Sequence, residues 1–555
     1  MRLLSFFALI LVILAITPCA LAQTLPGAVE PGRIEKRFES PPTPQAEIDI
    51  RIPEKAAEIP EAEADALRFM LEGLTVEGST VYTEADFRPL IEELLLEEVT
   101  LKQLNALAER LTVKYRNDGY ILSRVILPAQ EVEGGMVHLR AVEGYIIEVR
   151  VEGETGGRDG IWDHWADKLK ASRPLHISVL ERYSLLANEL AGLTVQAQVK
   201  PDKDAQGAAV VLFTIEKKDF DAALTFDNRG TKSTGPWQST LAVTAFDLLG
   251  LGGSTSVQGI ATSQIEELRY GTVSYSRMLN GEGLALSLSA SRSVSEPGDV
   301  LKTLGVASQN KSLSATMTYP AIRSRRENLL LSAGLRYTNS KSNLACAPSS
   351  RDRLRVLTLG ASYDISDEYK GVNLFDVKLH RGLDILNASD TNSNLLSRSR
   401  GVSDFTKLTA TAIRRQVLTR GLGMTVSLSG QAAFNQLLAG EEFGYGGTQY
   451  GRAYDPSEIT GDHGLAGSVT VNYNNMPPIV GVDFMRPFVY WDIGVIDNKG
   501  SDTNHESAAS AGFGLRFGAF ERITGEIEFA APLTRPVSSL GDSDPRLFFS
   551  LTARY

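Results

Sequence analysis

Cysteine is almost absent from this sequence of 555 residues, which contains only Cys19 and Cys346. Cys19 lies within an N-terminal segment that has the features of a secretory signal peptide, so the mature chain is expected to keep one cysteine. A single cysteine cannot form an internal disulfide, and it excludes a metal site built from cysteine thiolates.

The N-terminal segment, residues 1–22, predicts export. Arg2 is followed by the apolar run Phe6–Ile16, and Ala20-Leu21-Ala22 then precedes Gln23. A positive start, a short apolar core and an A-x-A site are typical of a signal peptide, so Gln23 is the expected mature N-terminus. The core is too short to cross about 30 Å of hydrocarbon as a helix, which argues against a membrane anchor.

Long apolar runs and an excess of positive charge are also missing. After residue 22 no stretch approaches 18 consecutive apolar residues, so no transmembrane helix is predicted. A net charge of -11 and a pI near 5.3 argue against a nucleic-acid partner. A transmembrane β-barrel is still allowed, because its strands need only alternate between apolar and polar residues.

Motifs for catalysis and cofactor binding are missing as well. The sequence has neither H-E-x-x-H nor G-x-S-x-G, and its six histidines are scattered. In Gly250–Gly259, Thr255 replaces the third glycine of a dinucleotide loop, so a tight turn is favoured. The acidic pair Glu441 and Glu442 is predicted to be exposed to solvent. We therefore expect no enzyme activity, no cofactor and no metal.

The region after the signal peptide, residues 23–64, is predicted to be a flexible linker. It has seven prolines spread among charged residues, and its apolar positions show no sustained period. Such a composition buries too little surface to offset the loss of chain entropy. A short plug helix near Gly32–Glu39 is the less favoured alternative.

Residues 65–144 and 145–218 each show the order β-α-α-β-β of a small α+β domain. In the first unit, Thr100 is followed three residues later by Gln103, the spacing of a capping box, so a helix is predicted from there. Two successive modules with this order resemble POTRA domains, the periplasmic docking modules of outer-membrane assembly proteins.

Over residues 219–555 the apolar period changes to two, as in β-strands. About 16 such segments follow, and their connections alternate between short turns, such as Asn280-Gly281, and long loops, such as 293–309 and 382–401. We predict an all-β transmembrane barrel of about 16 antiparallel strands rather than a soluble sandwich. The aromatic last residue, Tyr555, is similar to the outer-membrane assembly signal of Gram-negative bacteria.

The long connection 435–462 overlaps the charged, glycine-bounded stretch Tyr450–Gly464. Structureless loops of about 28 residues are usually functional or disordered. Two strands on, alternation along Arg486–Asp497 places Asp492 on the inward face, where a carboxylate in a hydrated lumen is ordinary. The outward face is assigned to Val489, Trp491, Ile493 and Val495, and the inward face to Phe488, Tyr490, Asp492 and Gly494.

The whole arrangement resembles the haemolysin/filamentous-haemagglutinin secretion and activation family (ShlB/FhaC/HecB type), the TpsB transporters of two-partner secretion. That family combines a signal peptide, a linker with an optional plug helix, two POTRA domains and a barrel of about 16 strands. Its sixth surface loop folds back into the lumen and ends in an Arg-Gly-Tyr/Phe-like tip. Here the tip has the sequence Gly451-Arg452-Ala453-Tyr454-Asp455-Pro456, and a wall motif Phe-x-x-x-Asp-x-Gly matches Phe488, Asp492 and Gly494.

The resemblance implies that Arg452 pairs with Asp492, and that Gly451, Phe488 and Gly494 support the pair. Tyr454 and Asp455 are expected either to add hydrogen bonds or to be ordinary loop residues. Ala453 stands at the usual glycine position, so the tip backbone would differ if a positive φ were needed there.

The resemblance also implies a function. POTRA domains in the periplasm would capture a large unfolded exoprotein, a TpsA-type adhesin or haemolysin, and the barrel would conduct it across the outer membrane. Further expected partners are outer-membrane lipid and, through Tyr555, the barrel-assembly machinery. Two alternatives are an insertase, which usually carries more than two POTRA modules, and a passive or receptor-gated channel, which would leave both modules without a purpose.

Overall fold

A computed structural model of the protein describes residues 26–39, 41–43, 50–51, 68–477, 479–500 and 505–555. The predicted signal peptide and the cleavage site before Gln23 lie outside these ranges, as does most of the predicted linker. Within them, no helix has both the length and the apolar character needed to cross a membrane.

The described chain begins with a 3-10 turn, Gly27–Val29, and the helix α1 (Pro31–Arg37). Proline suits the first turn of a helix because its missing N–H has no helical partner there. α1 lies inside the barrel, and its Arg33 and Ile34 side chains are buried. The preference for a flexible linker was therefore wrong for these residues, because contacts with distant parts of the lumen hold the helix in place.

The first α+β unit follows the two-residue strand β1 (Ile50–Arg51). Its central sheet has the order β3-β6-β5, with β3 and β6 parallel, and β2 and β4 form a separate ribbon. Thr100 and Gln103 form the predicted capping box at the start of the longer helix. The elements are β2 (Arg68–Met70), β3 (Gly73–Glu77), α2 (Glu84–Ile91), β4 (Glu98–Thr100), α3 (Leu101–Asn117), β5 (Arg124–Ile126) and β6 (Met136–Val142).

The second unit has a sheet of order β1-β8-β9-β7, on which two helices pack. Trp162, Trp165 and Leu169 on the first of these helices are buried against the sheet, which gives the unit a core of its own. The elements are β7 (Tyr145–Glu152), α4 (Asp159–Ala171), α5 (Ile177–Asn188), β8 (Leu193–Pro201) and β9 (Ala208–Lys217).

The rest of the chain forms a closed antiparallel barrel of sixteen strands, as predicted. Each barrel strand pairs with its sequence neighbours, except that β20 pairs with β23 and the first strand closes on the last. The remaining two strands form a ribbon within the loop between β20 and β23. The strands are β10 (Phe220–Asp227), β11 (Gln238–Phe246), β12 (Ser254–Thr262), β13 (Arg269–Met278), β14 (Ala285–Ser295), β15 (Ala307–Arg323), β16 (Glu327–Leu344), β17 (Ala347–Ser366), β18 (Gly371–Gly382), β19 (Thr406–Thr419), β20 (Leu422–Ala433), β21 (Phe443–Tyr445), β22 (Ile459–Gly461), β23 (His463–Tyr473), β24 (Val482–Asp497), β25 (His505–Ala519), β26 (Ile523–Pro532) and β27 (Arg546–Arg554).

Strand parity in the barrel agrees with the sequence pattern. Exposure alternates along β24: Val489 and Trp491 are 55% and 45% exposed, whereas the next residue after each, Tyr490 and Asp492, is 5% and 0% exposed. Because successive side chains of a strand point to opposite faces, the exposed apolar set forms the outer wall of the barrel and the buried set faces the lumen.

The second α+β unit packs against the short turns at one end of the barrel. The Trp165 Nε1 atom donates a hydrogen bond to the Gly281 carbonyl oxygen at 2.6 Å. The Glu282 carboxylate accepts from His164 at 3.0 Å and lies 3.1 Å from the Lys168 ammonium. The short turns therefore mark the end of the barrel that faces the α+β units, and the long loops mark the opposite end.

Candidate functional site

The loop between β20 and β23, residues 434–462, folds back into the barrel and is named here the lumen loop. It is not structureless, because it contains a 3-10 turn at Ala439–Glu441 and the β21–β22 ribbon. Its apolar side chains pack against the inner wall and are nearly inaccessible: Tyr445, Ala453, Tyr454 and Ile459.

At the tip of the lumen loop, Arg452 contacts Asp492 on β24. The Arg452 Nε and Nη2 atoms donate to the two carboxylate oxygens of Asp492 at 3.0 and 2.8 Å, a bidentate arrangement. The backbone N–H groups of Gly451 and Arg452 also donate to this carboxylate, each at 3.1 Å. Both side chains are buried, with exposures of 6% and 0%, so the pair that the resemblance implied is shielded from water.

Further contacts fix the plane of the Arg452 guanidinium. Its Nη2 atom donates to Ser468 Oγ and Thr470 Oγ1 on β23, at 3.0 and 3.1 Å. Its Cζ atom lies 3.4 Å from the centre of the Tyr490 ring, a cation–π contact. Lysine has neither the planar fork nor enough donors to make the same set of contacts.

Two of the predicted motif glycines make room for one aromatic ring. A Cβ atom on Gly494 would lie 2.2 Å from the Tyr445 ring, and one on Gly451 would lie 2.6 Å from the same ring. Gly451 also has a φ of +71°, which favours glycine. The glycine of the wall motif therefore allows the lumen loop to approach the wall closely.

The other tip residues also contact the wall. Ala453 is not among the described residues that have a positive φ, and it packs with Phe488 in a buried cluster, so the alanine fits this backbone. The Tyr454 hydroxyl donates to the Ala509 carbonyl oxygen at 3.0 Å. The Asp455 carboxylate lies 2.9 Å from the Arg546 guanidinium.

The acidic pair Glu441 and Glu442 is buried, with exposures of 3% and 8%, so the prediction that it is exposed was wrong. The Glu441 carboxylate lies within 2.5 Å of Arg336 Nη2 and 2.8 Å of Lys407 Nζ, both on the wall. Glu442 pairs with Arg33 of α1 at 3.2 Å. Local sequence could not show this burial because the cationic partners lie far away in the chain.

The helix α1 contacts the lumen loop mainly through backbone acceptors. Arg33 Nε donates to the Ala439 carbonyl oxygen at 2.8 Å, and Lys36 Nζ donates to the Gly440 carbonyl oxygen at 2.6 Å. Gly32 faces Gly440, where an added Cβ would lie 2.8 Å from the Gly440 Cα atom. The docked lumen loop therefore supplies part of the surface on which α1 rests.

Arg229, just after β10, connects three parts of the site that sequence patterns did not link. Its Nη1 atom donates to the Arg452 carbonyl oxygen at 3.2 Å, and its Nη2 atom donates to Glu528 on β26 at 2.7 Å. Its own carbonyl oxygen accepts from Arg37 of α1 at 3.0 Å. Arg229 thus joins the loop tip, α1 and the wall near the closure of the barrel between β10 and β27.

A further buried ion pair, between Arg398 and Asp462, holds the base of the lumen loop. Asp462 is fully buried, and Arg398, in the loop between β18 and β19, donates to its two oxygens at 2.6 and 3.1 Å. The Leu437 N–H also donates to Asp462, at 2.7 Å. The only hint of this contact in the sequence is the position of Asp462, a charged residue directly before the strand that begins at His463.

Comparisons with known proteins agree with this architecture. The family model for haemolysin secretion/activation protein ShlB/FhaC/HecB matches residues 206–517, and the model for the ShlB-type POTRA domain matches residues 69–144. The heme/hemopexin transporter protein HuxB of Haemophilus influenzae (strain 86-028NP) is 20% identical over 72% of this chain and 70% of its own length. The outer membrane transporter CdiB of Dickeya dadantii is 24% identical over 75% of each chain.

Among solved structures, CdiB from Escherichia coli has the same fold. It superposes with a TM-score of 0.71 and covers 90% of this chain and 93% of its own, at 20% identity. CdiB from Acinetobacter baumannii gives a TM-score of 0.62 at 17% identity, over 88% of this chain and 91% of its own.

Proposed function

This chain belongs to the haemolysin secretion/activation family ShlB/FhaC/HecB, and from that membership we propose how its parts divide the work of secretion. It is an outer-membrane transporter of the two-partner secretion type with periplasmic POTRA domains, and it is not an enzyme. Its cargo is a partner exoprotein of the TpsA type. This assignment replaces the insertase and passive-channel alternatives.

We propose that the first POTRA domain, residues 65–144, captures the unfolded exoprotein. Its edge strand β3 pairs with β6 on one side and with no other described strand, so its second edge is open to an extended segment. In the second domain, β1 already pairs with the edge strand β8. The second domain also has an open edge, on β7, which pairs with β9 alone, but this domain packs against the barrel turns. We therefore place docking on the edge of β3, in the domain farther from the barrel.

Deleting residues 65–144 tests the capture step. We expect secretion of the exoprotein to stop while the barrel remains inserted and heat-modifiable on a gel, because the barrel pairs its own strands throughout. Normal secretion by the truncated transporter would assign capture to another part of the chain.

We propose that the arrangement described here is the resting state, and that the pair Arg452–Asp492 carries its main function. The pair holds the lumen loop against the wall, and the loop in turn supports α1 through Arg33 and Lys36. The observation that carries this proposal is the burial of a bidentate ion pair between a loop tip and the wall. Because α1 and the loop fill the lumen, export requires at least α1 to leave.

A reversible tether tests this requirement. The Ser291 hydroxyl on β14 donates to the Glu35 carboxylate of α1 at 2.8 Å, so cysteines at these two positions are within reach of a short bifunctional thiol reagent that attaches through reducible disulfides. The variant E35C/S291C is made in a Cys346→Ser background, with each single cysteine as a matched control. We expect the cross-linker to block secretion and reduction to restore it in the double variant alone. Full secretion by the cross-linked protein would show that α1 stays in place during export.

We also propose that the outer-membrane lipid surrounds the barrel and that the barrel-assembly machinery inserts it, with Tyr555 as part of the recognised strand. The outward Tyr555 ring is 70% exposed and stacks on Phe220 at 5.5 Å, so it is available at the periplasmic end of the seam. Tyr555→Ala is expected to reduce the amount of inserted barrel without changing secretion per inserted molecule.

A further inference from the structure

Outward-pointing basic side chains stand on six consecutive strands, between the lipid-facing apolar residues and the long loops at that end of the barrel. Their inward neighbours are buried: Ser291 and Ser293 flank Arg292, and Asn310 and Ser312 flank Lys311. The basic side chains themselves therefore point outward, away from the lumen. We name this set the basic band; it consists of Arg269 on β13, Arg292 on β14, Lys311 on β15, Lys341 on β16, Arg351 and Arg353 on β17, and Arg381 on β18.

The band is continuous across the sheet, and like charges stand directly opposite each other. Arg292 is the cross-strand partner of Lys311, and Lys341 is the partner of Arg351. Cβ atoms at directly opposed positions are about 5 Å apart, and like charges placed there repel each other. The fold therefore tolerates an unfavourable arrangement of cations at this position.

The protein does not neutralise these cations itself. Among the residues that the structure describes, no carboxylate forms an ion pair with any member of the basic band. Arg292 faces the amide of Gln309, and Arg381 donates to the Thr406 hydroxyl at 2.8 Å. This differs from the lumen, where Arg33, Arg398 and Arg452 each have a carboxylate partner.

The basic band lies at the level of lipid headgroups. On β15 and β18 the basic residue stands next to an outward apolar residue, Leu313 beside Lys311 and Leu379 beside Arg381, which are 57% and 42% exposed. Beside it, Arg355 lies 3.4 Å over the ring of Tyr337, an amphipathic residue type that is enriched where a membrane meets water. The band occupies one side of the barrel, away from the seam between β10 and β27, where aromatic residues including Phe226 and Trp237 stand instead.

We propose that the basic band binds the phosphate groups of the glycolipid that forms the outer leaflet of the outer membrane. This inference rests on the outer-membrane location of the barrel and goes beyond export of a partner. Guanidinium groups match phosphate oxygens bidentately, and clusters of four to eight Lys and Arg residues at a membrane surface bind anionic headgroups. Phosphates carried just above the acyl chains would lie beside the band and remove its cross-strand repulsion.

The test compares two variants of the full chain, purified in detergent, that lose the same charge. The band variant is R292Q/K311Q/K341Q/R351Q. The control variant is R326Q/R415Q/R420Q/R486Q, which changes exposed basic residues at the periplasmic end that also form no ion pair with a described residue. Both must show heat-modifiable migration, which establishes that the barrel is folded. The probes are bisphosphorylated lipid A, the same lipid A without phosphates, and inorganic phosphate.

We expect wild type and control to bind bisphosphorylated lipid A equally, as measured by native mass spectrometry and by the rise in unfolding temperature. Each cation near an anionic headgroup contributes about five-fold in affinity, so the loss of four cations should weaken binding on the order of 10² to 10³-fold. Inorganic phosphate should compete only weakly, because it engages fewer cations at once.

Two results would overturn the proposal: equal binding by the band and control variants, or equal binding of phosphorylated and dephosphorylated lipid A by wild type. If the band instead retained the secreted exoprotein and ignored lipid A, its partner would be a protein and the lipid proposal would fail. Secretion is measured separately in cells, so a failure here leaves the proposed transport function intact.

Discussion

Replacing Arg452 with alanine should release the lumen loop while leaving the barrel folded. The change removes two charge-assisted bonds to Asp492, the bonds to Ser468 and Thr470, and the stack on Tyr490. Asp492 would keep only backbone N–H donors, which are themselves on the loop tip. Removing one partner of a buried ion pair lowers stability by about 3–5 kcal/mol. At about 1.4 kcal/mol for each factor of ten, docking of the loop should weaken by roughly 10² to several thousand-fold.

Three readouts separate loop docking from folding. A spin label on the exposed position Gln449, introduced as cysteine in a Cys346→Ser background, should gain mobility in the Arg452→Ala variant. Secretion of the exoprotein should fall, and heat-modifiable migration should not change. Arg452→Lys should also be impaired because lysine lacks the fork. Arg415→Ala, an exposed arginine at the periplasmic end, is the matched control.

A double-mutant cycle gives the sharpest refutation. Asp492→Ala should impair secretion like Arg452→Ala, and the double variant should be little worse than either, because partners in direct contact are coupled. Strictly additive defects, or a label mobility and secretion equal to wild type in Arg452→Ala, would show that the pair does not hold the loop.

Three further changes test other contacts of the site. Glu441→Gln leaves the half-buried Lys36 and Arg336 and the buried Lys407 without their shared carboxylate. α1 should therefore dock less firmly and single-channel conductance should rise, whereas the exposed Glu368→Gln should behave as wild type. Unchanged conductance in Glu441→Gln would contradict this. Gly494→Ala places a methyl group against the Tyr445 ring and should abolish docking of the lumen loop. Adding Tyr445→Ala should restore part of the secretion. A fully active Gly494→Ala variant would mean that the loop does not approach the wall as described. Ala453→Gly removes a buried methyl group and should cost only about 1 kcal/mol of packing energy. Secretion should be kept, because the backbone at this position has no positive φ that would require glycine. Loss of secretion would contradict this expectation.

Much of the fold was predictable from the sequence because strand geometry imposes a period of two. Alternation predicted the barrel, the outward apolar set around Trp491 and the inward position of Asp492, and each of these depends only on neighbouring residues. The capping box of Thr100 and Gln103 was predictable for the same reason. Local rules succeed where the determining contacts are local.

The contents of the lumen were not predictable in this way. The proline-rich composition around α1 favoured a flexible chain, yet Arg33 contacts Glu442 more than 400 residues away. Glu441 resembled an exposed acid because its cationic partners, Arg336 and Lys407, lie on other strands. The role of Arg229 depends on closure of the barrel, which pairs β10 with β27 and brings Arg229 within reach of Glu528 on β26. Burial and pairing inside a barrel are set by closure, which no short window of sequence contains.

Reconstituted transport tests the central claim most directly. The purified transporter is inserted in lipid vesicles with its POTRA domains outward, and its unfolded partner exoprotein is added outside without any nucleotide. We expect the exoprotein to become protected from added protease inside vesicles that contain wild type, and to remain accessible with the transporter that lacks residues 65–144. Complete digestion of the exoprotein, with wild-type barrels shown to be folded and correctly oriented, would contradict the assignment of this chain as the export channel.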